Sequence, residues 1–145
     1  MNDNIVRIAR DFHWEMGHRL PFHQGGCANL HGHSYRLRVE IEGVCDENGM
    51  LLDFADLKRL VQPLLAPLDH AFVCNENDGL MRGFLTEHGF KSVYLPFNST
   101  AENLTKHLAG LIWDELQGHA RFTALKLRLH ETESSYAEYS ITRSA

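Results

Sequence analysis

Apolar and polar residues alternate with period two along the start of the chain. Val6, Ile8, Phe12, Trp14 and Met16 occupy even positions, with Arg7, His13, Glu15 and Arg19 on odd ones. That is the pattern of a half-buried strand over about residues 4–20. A second run at 34–42 has the opposite parity: Tyr35, Leu37, Val39 and Ile41 are apolar, and Arg36, Arg38, Glu40 and Glu42 are polar. Pro21 to Asn29, which contains Gly25-Gly26, reads as the loop between them.

The period then changes. After Asp53, a capping residue, Phe54, Leu57, Val61, Leu64 and Leu68 recur at steps of three and four, predicting a helix that Pro63 and Pro67 shorten or kink. Asn75 to Gly89 carries Asn, Asp and Gly clusters and reads as an excursion with a short helix in its middle, followed by a brief edge strand over Lys91 to Phe97. Ser99-Thr100-Ala101-Glu102 fits a capping box, and Leu104, Leu108, Leu111, Ile112 and Leu116 continue as an amphipathic helix. Leu125, Leu127 and Leu129 restore period two, and Tyr136 to Ile141 makes a last strand. The order ββ-α-α-ββ, with no repeat or linker, predicts one α+β domain over residues 1–145. It would have an antiparallel sheet with two helices on one face.

Composition narrows the class. Of 145 residues, 43% are hydrophobic and 23% charged, as in a globular soluble chain. Fourteen Lys+Arg against nineteen Asp+Glu give a net charge of −5, which argues against a general binder of nucleic acid or anionic membrane. No stretch approaches the roughly 18 apolar residues of a membrane span. The opening Met1-Asn2-Asp3-Asn4 lacks the basic-then-apolar pattern of a secretory signal. Cys27, Cys45 and Cys74 are odd in number and show no CxxC spacing, so the expected compartment is the reducing cytoplasm. Ten histidines are the surplus to explain.

The chemistry concentrates between His18 and His33. His31 and His33 are two apart and share the parity of Tyr35 and Leu37, so both project from the apolar face of a strand. His18 has the parity of Trp14 and Met16, at the end of the first strand. An antiparallel hairpin would bring the three imidazoles together on one side of the sheet. Three nitrogens with a fourth position open make the catalytic zinc arrangement. Cys27 has two readings: a fourth ligand closing a structural site, or a free thiol whose pKa falls beside the cation and which serves as base or nucleophile. Cys45 and Cys74 lack such neighbours. Glu131 continues the parity of Leu125, Leu127 and Leu129, aiming a carboxylate at the apolar side. It either marks a lapse of alternation at the strand end or receives paired N–H donors from a flat heterocycle. Taken alone, Asp69-His70 is a helix-terminus pair, and Glu102 and Asp53 are explained by capping.

These segments resemble the 6-pyruvoyl-tetrahydropterin synthase family. Phe12 to Leu20 (FHWEMGHRL), Cys27 to Tyr35 (CANLHGHSY), Gly49 to Lys58 (GMLLDFADLK), Leu68-Asp69-His70, Thr100 to Leu104 (TAENL) and His130-Glu131-Thr132 stand in the family's order across nearly the whole chain. Three residues between the cysteine and HGH look like its bacterial 6-carboxy-tetrahydropterin synthase branch, which serves queuosine and deazapurine synthesis. A folate-pathway branch has glutamate in place of this cysteine. The resemblance implies zinc held by His18, His31 and His33, with Cys27 as the proton-abstracting base and Asp69 and His70 completing a catalytic triad. It also implies Glu131 as pterin anchor, helped by Thr100 and Glu102. It implies the tunnelling fold, in which a homo-oligomer (trimer or hexamer) builds a barrel with active sites between subunits. The implied reaction turns 7,8-dihydroneopterin triphosphate into 6-carboxy-5,6,7,8-tetrahydropterin, acetaldehyde and triphosphate. Two departures bear on the pocket rim: Met16-Gly17 replaces the usual Ala-Ala, and the stretch from Asn75 to Asn98 is longer than in compact bacterial members.

Three other readings stand beside this one: the 6-pyruvoyl product of the biopterin pathway, a Cys-His-Asp hydrolase with a covalent intermediate, and a non-enzymatic structural zinc module that binds a protein partner.

Overall fold

A computed structural model describes residues 4–143, so the polar opening at 1–3 lies outside it. Strands β1 (Ile5–His18) and β2 (His31–Val44) form a hairpin paired without interruption from Ile5↔Val44 to His18↔His31. The opposite parities predicted for the two runs are what this register requires, because Phe12 faces Leu37 and Trp14 faces Tyr35 on one side. Strands β5 (Phe122–His130) and β6 (Tyr136–Thr142) extend the sheet antiparallel beyond β2.

The sheet has six strands in the order β4-β3-β1-β2-β5-β6, and on its β4 side it departs from the expected antiparallel plan. Strand β3 (Ala71–Asn75) pairs parallel with β1 at Met16–His18, and β4 (Ser92–Leu95) pairs parallel with β3. Parallel neighbours need a crossover, and helix α2 (Gly79–His88) supplies it. Residues 71–95 therefore form a strand-helix-strand unit, of which the long 75–98 stretch supplies the helix and the second strand. It adds a third helix to α1 (Phe54–Leu65) and α3 (Ala101–Leu116).

The helices divide between the two faces. From α1, Leu57, Val61 and Leu65, and from α3, Leu104, Leu108, Ala109, Ile112 and Leu116, pack on the apolar face with Phe12, Trp14, Leu37, Val39, Ile41, Leu125, Leu127 and Leu129. Each large aliphatic side chain removed from water here contributes roughly 1.5–3 kcal/mol. Helix α2 lies on the other face, where Met81 and Leu85 cover Cys74, Phe72 and Tyr94. The rest of that face is polar and cross-strand paired, as in Arg7–Glu42, Asp11–Arg38 and Arg128–Glu138.

Local signals explain the helix ends. The Asp53 carboxylate accepts from Ala55 N at 2.7 Å, and Pro63 is accommodated in the last turn of α1, which runs to Leu65. The expected capping box does not form on Ser99 and Glu102. The N-cap of α3 is Thr100, whose hydroxyl accepts from Asn103 N at 3.1 Å. Ser99 is fully buried and bonded elsewhere, which moves the cap one residue along. No helix among the described residues is long and apolar enough to cross a membrane.

Candidate metal and pterin site

The hairpin register places His18 directly opposite His31, and His33 opposite Met16. With His18 on the core side of β1 and His31 and His33 on the same side of β2, one donor atom from each lies within 4.8 Å of the other two. Ring centroids are 4.6 Å apart for His18 and His31, 5.1 Å for His18 and His33, and 5.0 Å for His31 and His33.

The hydrogen bonds fix how these rings present themselves. His18 Nδ1 lies 2.9 Å from the Ser99 carbonyl oxygen and 3.3 Å from Ser99 Oγ. His31 Nδ1 lies 2.8 Å from the Asn29 carbonyl oxygen. A carbonyl only accepts, so in both rings Nδ1 carries the proton and Nε2 presents its lone pair. Both Nε2 atoms are buried and without a hydrogen-bond partner, an arrangement expensive to leave uncompensated. Imidazoles that donate from one nitrogen to a carbonyl and offer the other to a shared centre are dressed as metal ligands. Burial, followed by the neighbouring imidazoles, pushes the His18 pKa down to about 4, keeping the ring neutral. The residues present thus fit a metal ion bound by three nitrogens, with a further coordination position available.

Glu131 follows β5 at the same end of the sheet, half-buried, with Oε2 3.8 Å from His33 Nε2. That distance is too long for a hydrogen bond. Burial and the His31 ring hold His33 below the usual histidine range, so the contact is not an ion pair. Burial, and then the charge of Glu102 in the first turn of α3, push the Glu131 carboxyl up. Glu102 is thus the second residue of the helix, electrostatically coupled to Glu131 rather than closing a cap. Thr100 spends its hydroxyl on the helix N-terminus.

Cys27 is half-buried on a single 3₁₀ turn at Gly26–Ala28, with its thiol free. Asp69 and His70 form a pair of their own, Nδ1 to Oδ1 at 2.8 Å. Glu15 N donates to the same oxygen and, as the largest cause, holds the Asp69 carboxyl below its ordinary value. His70 adopts a left-handed backbone (φ 59°), and its amide donates to the Glu15 carbonyl at 2.6 Å. The His70 side chain is 75% exposed and lines a cleft of about 640 Å³ together with Glu15, Ser34, Phe72 and Phe84 and with His31 and His33 of the imidazole cluster. Glu15 and Ser34 have the parity of the polar face and His31 and His33 that of the apolar one, so the cleft takes in residues of both at this end of the hairpin. Among the described residues, no hydrogen bond joins the Cys27 thiol to Asp69 or His70.

Three contributors were not evident from the sequence. Ser99 carries a signal only as a small polar residue beside a cap, and the Asn29 carbonyl is backbone and carries none. Tyr35, 1% exposed, packs its ring 5.4 Å from His33 with its hydroxyl unpartnered and, through burial, strongly resistant to ionisation. Cys74 is sealed beneath α2, and Cys45 packs against the main core.

The comparisons with known proteins agree with this geometry. A family profile described as 6-pyruvoyl tetrahydropterin synthase matches residues 7–142. The 6-carboxy-5,6,7,8-tetrahydropterin synthase of Haemophilus influenzae is 36% identical over 143 residues, covering 93% of this chain and 99% of that protein. The protein of the same name from Rickettsia conorii is 33% identical over 138 residues, covering 92% and 99%. Among solved structures, the 6-pyruvoyl tetrahydropterin synthase of Plasmodium vivax superposes with a TM-score of 0.79 at 19% identity, covering 97% of this chain and 100% of that one. That of Caenorhabditis elegans gives 0.70 at 22% identity, covering 97% and 96%. The chain belongs to the 6-pyruvoyl tetrahydropterin synthase family, a family of lyases, and has its tunnelling fold.

Proposed function

We propose that this member of the 6-pyruvoyl tetrahydropterin synthase family is a zinc-dependent 6-carboxy-5,6,7,8-tetrahydropterin synthase. It takes 7,8-dihydroneopterin triphosphate and water to 6-carboxy-5,6,7,8-tetrahydropterin, acetaldehyde and triphosphate, supplying a precursor for queuosine and related deazapurines in the cytoplasm. The reaction balances without an external oxidant, since the ring gains the electrons that the side-chain carbon loses. The observation that carries the reading is the pair of buried, unpartnered Nε2 atoms on His18 and His31, whose Nδ1 atoms are both committed to carbonyls. The names of the Haemophilus and Rickettsia relatives support the 6-carboxy product.

His18, His31 and His33 would hold the zinc, whose Lewis acidity stabilises negative charge developing beside it. Glu131, at the mouth of the cluster, accepts the paired N–H donors of the pterin ring and fixes its orientation, with Glu102 and Thr100 alongside on α3. The Cys27 thiolate removes the side-chain proton. His70, held by Asp69, moves protons at the adjacent hydroxyl.

Cys27 and the Asp69–His70 pair reach one substrate most simply across two copies of the chain. Among the described residues no strand pairs with the outer edge of β1 from Ile5 to Trp14, because β3 covers only Met16–His18 and Glu15 is taken by Asp69 and His70, and β6 pairs on one side only. A second copy adding its β6 to that edge continues the sheet into a trimeric barrel, which stacks as a hexamer. Light scattering on the purified protein reports the state.

Incubation with dihydroneopterin triphosphate, with and without chelator, tests the function, the products being identified by mass. The 6-carboxy product with acetaldehyde, lost on chelation and restored by zinc, is expected. A 6-pyruvoyl product moves the chain to the biopterin-type branch. Turnover that survives chelation points instead to cysteine hydrolase chemistry, and unfolding on chelation without pterin binding to a structural zinc module.

A further inference from the structure

The loop carrying Cys27 is fastened in an uncommon way. Three successive carbonyls, those of Cys27, Ala28 and Asn29, are each taken by a different donor. Leu20 N donates to Cys27 O at 2.7 Å, Arg19 Nη1 to Ala28 O at 3.3 Å, and His31 Nδ1 to Asn29 O at 2.8 Å. The first donor is backbone at the end of β1, and the third belongs to the imidazole cluster. The second is a long flexible side chain that cannot hold a carbonyl unless it is itself held.

Asp78 holds it. Arg19 Nε and Nη2 bind the two Asp78 oxygens at 2.7 and 3.0 Å, a bidentate fork, and leave Nη1 for the Ala28 carbonyl. The Asp78 side chain is only 2% exposed and that of Arg19 20%. Asp78 is also the N-cap of α2, accepting from Met81 N at 3.4 Å. The carboxylate thus belongs to the strand-helix-strand unit at 71–95, which Cys74, Met81 and Leu85 anchor to the sheet.

We propose that Arg19 and Asp78 are positioning residues. Helix α2, through its buried cap, locks the Arg19 guanidinium and thereby sets the Cys27 turn relative to the imidazole cluster. The long 75–98 segment then does more than cover a sheet edge, because it is the fixed end of the latch on the turn that carries the base. Lysine is no substitute for Arg19, since a single ammonium cannot bridge two carboxylate oxygens in a fork and a carbonyl at a fixed angle. The catalytic part of this inference rests on the assignment of Cys27 as base, whereas the latch itself is physical and can be read without turnover.

Arg19→Lys and Asp78→Asn, in the full-length protein, test it by three readouts. The first is kcat against KM with dihydroneopterin triphosphate, and the second is zinc per chain. The third is the rate of Cys27 alkylation by iodoacetamide, followed by peptide mass so that Cys45 and Cys74 are scored separately. For both variants kcat should fall by about 10–100-fold, the scale of misplacing a reacting group by an ångström, with KM changing much less. Zinc should stay at the wild-type ratio, and Cys27 should alkylate several-fold faster as its turn loosens. A purely structural pair would lower the melting temperature and leave kcat and alkylation of the folded protein at wild-type values, and that result overturns the latch. Zinc lost in step with kcat overturns it as well, by moving the effect to the neighbouring His18. Cys27→Ala separates the two levels. Retained turnover in that variant removes the thiol from the chemistry, and the alkylation rates then decide the latch alone.

Discussion

Gly32→Ala probes how tightly the imidazole cluster depends on the spacing of β1 and β2. Gly32 sits between His31 and His33 and pairs with Gly17. A Cβ at position 32 would lie 3.0 Å from the Met16 carbonyl oxygen and 3.6 Å from Gly17 Cα, both backbone atoms of the facing strand. Carbon–oxygen contacts between strands settle at about 3.3–3.6 Å, so the hairpin must open by about 0.3–0.6 Å where His18 faces His31. Metal–ligand distances tolerate only about 0.2 Å. The methyl should therefore weaken zinc binding by about 10–100-fold, the range for displaced ligand support. Overpacking costs about 1–3 kcal/mol and is offset by about 0.5–1 kcal/mol from the stiffer unfolded chain, leaving a net loss near 1 kcal/mol. Competition with a chromophoric chelator gives the zinc Kd, and urea unfolding of the stripped protein gives the stability. Gly83→Ala is the control: its Cβ would meet nothing within 4 Å on the exposed side of α2, so zinc affinity should hold and stability rise slightly. Wild-type zinc affinity in Gly32→Ala would refute the reasoning, because the cluster would then not depend on the strand spacing.

Other outcomes follow from the same contacts. His31→Ala removes a donor and its tie to Asn29 O. Metal analysis should find the zinc content cut from about one per chain to a small fraction, and an unchanged ratio would exclude the three-histidine site. Glu131→Gln should retain zinc but weaken pterin binding by about 10–100-fold in fluorescence titration, as expected for losing charge-assisted hydrogen bonds. Unaltered affinity would remove Glu131 as the ring anchor. Arg19 holds the Asp78 carboxyl below its ordinary 3.8. The contribution of that pair is complete above about pH 4 and is lost as pH falls through the lowered folded value. The stability gap between wild type and Asp78→Asn should accordingly be constant from pH 7 to pH 5 and narrow below pH 4, as read by urea midpoints. A gap that widens on acidification would contradict that sign.

The half-buried strands were legible because each presents one face to the core and one to water, which writes period two into β1, β2 and β5. Strand β3 was not, since both its faces are covered: Val73 meets the main core and Cys74 lies under α2, leaving no alternation to read. The short helix expected within Asn75–Gly89 is α2, bounded by its Asp78 cap and its left-handed Gly89 stop. The capping box misled by one position. Ser99 looks like a cap in isolation, but it faces His18 and is fully buried, so Thr100 takes the helix end.

The amino-acid sequence alone determined which way the decisive side chains point. Alternation fixed His31 and His33 on the apolar face of β2, and His18 on that of β1, because strand geometry sends every second side chain to the same side. Only the tertiary structure decided what they meet. The hairpin register set His18 against His31, the Ser99 carbonyl from a distant segment chose the His18 tautomer, and the path of the chain after α1 brought Asp69 and His70 against Glu15 at the edge of β1. It also joined Arg19 to Asp78 across 59 positions. Directions along a strand follow from local backbone geometry. Distances between segments follow from how helices and sheet close over one core, which no local pattern encodes.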